Sequence, residues 1–139
     1  MLNKKYTHYS NALNMMGYAA AIYSVTKNVN TRYRDLGLNN GELALDDVQI
    51  LVVVRILNYG GYECTIFNID KLVNLIRINR VGTIYKIRKL ASAKYIQLKF
   101  GKIYTLTARG IELLEEIDKI CEDTLGLFSQ DGIEDILTS

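Results

Sequence analysis

From Lys71 to Arg109 the chain carries ten basic side chains (Lys71, Arg77, Arg80, Lys86, Arg88, Lys89, Lys94, Lys99, Lys102 and Arg109) and no Asp or Glu. Such a one-sign stretch has the chemistry of neutralising a polyanion, because each phosphate contacted releases condensed counterions and no nearby acid opposes the contact. The flanks are different. Residues 1–70 hold six basic and six acidic residues, and residues 110–139 hold nine acids against Lys119, so a net charge of +2 conceals strong segregation. Solvated surfaces usually mix both signs. The competing reading is that these cations pair with the acidic carboxyl-terminal helix.

Other chemistry is thinly represented. His8 is the single histidine, Cys64 and Cys121 fit no zinc spacing, and neither a glycine-rich phosphate loop nor a nucleophile beside a base is present. No catalysis, metal or cofactor is expected. A chain of 139 residues buries enough surface to need no disulfide, so sparse cysteines suggest a reduced, cytoplasmic setting. No run of about eighteen apolar residues exists, so no membrane span is expected. Lys4 and Lys5 precede a mildly apolar stretch ending in Tyr18-Ala19-Ala20-Ala21, but Ser10, Asn11 and Asn14 interrupt it, which weighs against a secretory signal. The absence of proline favours long helices.

The elements that must position the basic groups follow from periodicity. Leu13, Met16, Ala20 and Tyr23 recur every three or four residues, with Val25 and Val29 four apart beyond them, predicting a long amphipathic helix over 10–36 with a Met- and Ala-rich face. A turn follows at 37–41. Asp46 or Asp47 can cap a second helix through the apolar run 48–57, stopped by Gly60-Gly61; the valines alone would also suit a buried strand. Residues 62–67 suit a short strand. Asn68 can cap a third helix through Ile76, and Asn79 a fourth reaching about Ser92. The segment 95–107 alternates on both sides of a turn at Phe100-Gly101, predicting a β-hairpin. Thr105 or Thr107 can then cap a last helix with Ile111, Leu114, Ile117, Ile120 and Cys121 on one face.

Two short helices closely joined, the second rich in Lys and Arg, form a helix-turn-helix pattern, and a hairpin followed by a helix turns it into a winged helix. The whole is read as one mainly α domain with a small β-hairpin wing. Its parts are an N-terminal dimerisation helix (10–36), a winged helix-turn-helix (45–107), a C-terminal dimerisation helix (108–125) and a tail (126–139).

Residues 45 to about 120 resemble the winged helix-turn-helix of the MarR family of transcriptional regulators. Asn79 to Ile96 (NRVGTIYKIRKLASAKYI) is similar to its recognition helix running into the first wing strand. Tyr104 to Glu116 (YTLTARGIELLEE) matches its Leu-Thr-x-x-Gly-x-x-Leu-Leu junction, and Tyr33 to Leu38 (YRDLGL) fits the end of its first helix. The wing is shorter than in that family and lacks its Asp-x-Arg element.

At about 100° per residue, Ile84, Ile87, Leu90 and Ala91 of the fourth helix should face inward. Gly82, Tyr85, Lys86 and Lys89 should then face a major groove, with Thr83 and Arg88 at the flanks. The first turn, Asn79, Arg80 and Thr83, would lie nearest base edges, with Arg80 suited to guanine and Asn79 to adenine or to a plain capping role. Gly82 suits close approach to DNA or tight packing. Lys99 and Lys102 straddle the wing turn, and Lys71, Lys94 and Arg109 are phosphate-contact candidates.

The resemblance implies a homodimer over a pseudo-palindrome in double-stranded DNA, joined through the first and last helices, with a small-molecule effector held near them. Met16, Tyr23 and Tyr33 are the candidate lining of that effector pocket, although ordinary core is the plainer role for them. A winged-helix protein-interaction module and a plasmid or phage replication or excision protein remain the alternatives. RNA binding is disfavoured because the hairpin offers too small a stacking platform.

Overall fold

The computed structural model describes residues 4–38, 41–75 and 82–139. The valine-rich second segment decides between its two readings: it is a helix, and Val48, Ile50, Leu51, Val53, Val54 and Leu57 are all buried, which is why its sequence carries no polar stripe. Around it run α1 (Lys4–Asp35), α2 itself (Leu45–Tyr59), α3 (Ile66–Leu75), α4 (Thr83–Ser92), β1 (Ile96–Lys99), β2 (Ile103–Leu106), α5 (Ala108–Leu127) and α6 (Gln130–Thr138). The protein is therefore mainly helical with one two-stranded antiparallel hairpin, paired Ile96 to Leu106 through Lys99 to Ile103.

Helix α1 starts earlier than the expected residue 10 and packs along α5. Gly17 permits the approach, since a Cβ there would sit 3.3 Å from Cys121 Sγ and 3.4 Å from Leu125. Ala21 and Val25 carry the contact into the core, whereas Met15 and Met16 stay exposed. The amide of Asn30 then ties the chain ahead of α2 to α1: its Oδ1 accepts from Leu43 N (2.7 Å) and its Nδ2 donates to Leu43 O (2.9 Å). Arg55, a cation within the apolar α2, donates to Asp118 Oδ2 of α5 at 2.8 Å.

Helix α2 begins one residue ahead of the expected cap. Ala44 stands at the cap position, and Asp47 works from inside the first turn, its Oδ2 accepting from Ala44 N at 2.8 Å. The strand expected over 62–67 is absent; only Cys64 O joins the hairpin, accepting from Tyr104 N at 2.8 Å. Asn58, near the end of α2, holds β2 by accepting from Leu106 N (3.0 Å) and donating to Tyr104 O (3.1 Å). Thr107 caps α5 as expected, its hydroxyl accepting from Gly110 N. The tail from 126 includes a further helix, α6, capped by Ser129. No helix among the described residues is long and apolar enough to cross a membrane.

Candidate nucleic-acid interface

Helix α3 is capped by Thr65, whose Oγ1 accepts from Asn68 N at 3.1 Å, so the expected cap Asn68 lies instead in the first turn. Its Nδ2 donates to Glu63 O. Lys71 stands midway along α3 and is exposed, away from the helix end where an amino-terminal anion site would form. Asn79 and Arg80, with the expected cap and base contacts, lie outside the described residues. Gly82 is not an interior helical glycine: it precedes α4 with φ +88, a left-handed conformation that glycine adopts without a Cβ penalty.

The faces of α4 differ from the expected ones. Thr83, Ile87 and Leu90 form the buried stripe, and Ile84 is 49% exposed. Thr83 is thus turned away from any groove. Lys86 and Lys89 lean on α2: Lys89 Nζ lies 2.7 Å from Asp47 Oδ2, and Lys86 Nζ lies 3.3 Å from Asp46 Oδ2 and 4.0 Å from Asp47 Oδ1. The side chain of Asp47 has no exposed surface, so it recruits both ammonium groups, and their attraction selects which arc of α4 turns inward. The outward arc is Tyr85 (71% exposed) and Arg88, flanked by Ile84. The acidic carboxyl-terminal helix takes none of these cations among the described residues.

Helix α4 closes with Tyr95 N bonded to Leu90 O and Lys94 N to Ala91 O, each at 3.0 Å, with Lys94 in the left-handed region at φ +65. This is a Schellman motif in which buried Tyr95 and Leu90 provide the accompanying apolar contact. The hairpin leaves at once, so the exposed Lys94, Lys99 and Lys102 stand on the segment leading directly from α4. Its turn runs Lys99-Phe100-Gly101-Lys102, closed by Lys102 N donating to Lys99 O at 3.2 Å.

Arg109 is exposed but already engaged by two tyrosines. Its guanidinium donates to the hydroxyls of Tyr33 and Tyr95 and stacks 4.5 Å from the Tyr95 ring centroid. Burial first, and then the Tyr33 hydroxyl, push the Tyr95 phenol up to about 12. These residues line a cleft of about 220 Å³ between α1 and α5, with Arg32, Glu112 and Glu116 at its polar side. Of the three expected effector-pocket residues only Tyr33 reaches this cleft. Met16 and Tyr23 lie exposed elsewhere on α1, where Tyr23 carries Lys27 over its ring.

Both cysteines are buried, and burial raises their thiols, that of Cys64 to about 11. Among the described residues no group of three His, Cys, Asp or Glu is placed to hold a metal ion. Sequence reasoning gives Arg88 only a flanking place and reads Asp46 and Asp47 only as caps. A pair of lysines three residues apart on a short helix is the one sign that an acid elsewhere holds them. No protein-family model matches the chain, and no curated protein is significantly similar to it.

Proposed function

We propose that this protein binds double-stranded DNA sequence-specifically as a homodimeric, MarR-like transcriptional regulator. In this reading α2, α3, α4 and the hairpin form a winged helix-turn-helix, with α4 as recognition helix. The observation that carries it is the acid-free stretch from Lys71 to Arg109. With Lys86 and Lys89 paired and Arg109 engaged by two tyrosines, it still leaves Lys71 of α3, Arg88 of α4, and Lys94, Lys99 and Lys102 of the segment that follows exposed. A surface of this kind suits phosphate contacts at its edges and base contacts from Tyr85 and Arg88 at its centre.

The dimer would use the apolar side chains left uncovered on α1 (Met15, Met16, Tyr18, Tyr23) and α6 (Ile133, Ile136, Leu137). Two recognition helices would then meet successive major grooves, about 34 Å apart. The cleft around Arg109 is the place for a small-molecule effector.

Binding of a mixed-sequence duplex pool across a salt series, followed by sequencing of the bound fraction, tests this reading. Native protein should give a steep salt slope and enrich an inverted repeat. Arg88→Ala should weaken binding and relax the base preference at one position, whereas Lys102→Ala should weaken binding to all sequences and reduce the slope by about 0.9. Lys86 and Lys89 are unsuitable probes because their removal unpairs Asp47. An absence of binding even at low salt would overturn the reading.

A further inference from the structure

The turn of the hairpin places its least suitable residue at its most demanding position. Phe100 and Gly101, in the turn between the paired Lys99 and Ile103, both have positive φ, +54 and +73. Positive φ favours Asn, Asp or Gly, whose small or locally bonding side chains tolerate the left-handed region. A phenylalanine there gains nothing from the fold in return: its ring is 92% exposed, the most exposed of the large apolar side chains described. Backbone strain and solvated apolar surface thus coincide on one residue, and neither serves the core. The ring stands between two exposed lysines, on a stretch with no acid to repel a phosphate backbone.

Resting on the proposed DNA-binding function, we infer that Phe100 is an apolar wedge that enters the minor groove and partly unstacks a base-pair step, bending the duplex. Lys99 and Lys102 hold the phosphates on either side of the groove while the ring enters between bases. Insertion buries the most exposed large apolar side chain of the hairpin. It also favours sites with an easily unstacked pyrimidine–purine step under the wing, so sequence preference extends to positions that receive no hydrogen bond.

The test uses short duplexes enriched by selection with the native protein. These carry an adenine analogue that fluoresces when unstacked, placed in turn at each step, and a donor–acceptor dye pair at their ends. Native protein should brighten the analogue at one step per half-site and shorten the end-to-end distance. Phe100→Asn, which relieves the turn and so keeps the fold, should abolish both signals and weaken binding by on the order of tenfold. Phe100→Leu should retain part of each. If Phe100→Asn binds the same duplexes with unchanged affinity and bend, the wedge is refuted and DNA binding stands. If the native protein enriches no duplex at low salt, both fall.

Discussion

The ammonium of Lys89 in α4 lies 2.7 Å from the carboxylate of Asp47 in α2, whose side chain has no contact with solvent. That carboxylate also accepts from Ala44 N and faces Lys86, so one buried charge begins α2 and orients α4. Removing it would leave an uncompensated ammonium at the junction. Asp47→Ala should therefore cost about 3 kcal/mol, read as a fall in the urea midpoint without a change in slope. Lys89→Met should cost less, because Lys86 and the Ala44 amide remain beside the carboxylate. Equal stability of Asp47→Ala and native protein would show that the pair does not set the junction.

Gly110, at the start of α5, sits against the carbonyl of Tyr95: a Cβ there would lie 2.2 Å from that oxygen. Backbone cannot yield as a side-chain tip does, so Gly110→Ala should destabilise the protein by about 2 kcal/mol. Thermal unfolding measures it. Gly126→Ala, at a position with open space around it, is the control and should leave the melting temperature unchanged or raise it.

Burial raises the Cys64 thiol from 9.0 to about 11. Between these values the unfolded chain has lost a proton that the folded one keeps, so stability is full below pH 9 and declines as pH rises toward 11. The slope from this group approaches about 1.4 kcal/mol per pH unit. Urea midpoints measured across that window should fall, and Cys64→Ala should flatten the fall although it lowers the plateau. An identical pH profile in Cys64→Ala would assign the loss to another group.

Lys94 holds the left-handed position that ends α4, where glycine is the favoured residue. Lys94→Gly should raise stability by about 1 kcal/mol. Under the proposed function it should also weaken DNA binding and lower its salt dependence. A gain in stability with unchanged binding would remove Lys94 from the interface.

The hairpin and the α5 cap are legible in the sequence because their determinants are local: alternation on either side of a turn, and Thr107 three residues before Gly110. The inner arc of α4 is not. Ile84 and Thr83 compete for burial by periodicity alone, and Thr83 wins because the helix also brings its lysines to Asp47, 42 residues from Lys89 in the sequence. The expected strand at 62–67 fails for a related reason. Its composition suits a sheet, yet the only described backbone bond it gains there is the single one from Tyr104, while Thr65 draws the following residues into α3. Arg109 illustrates the same limit, since a lone arginine among basic neighbours gives no sign that two tyrosines from distant segments hold it.

Tyr95 is the pivot where these parts meet. Its amide ends α4, its carbonyl receives Thr107 N and abuts Gly110, its ring carries Arg109, and β1 begins at the next residue. A strand of this length is a lever arm of about 13 Å, so a tilt of about 5° at Tyr95 displaces the tip of the hairpin by about 1 Å. The cleft beside Arg109 and the strand that leads to Phe100 thus share Tyr95 as their common anchor.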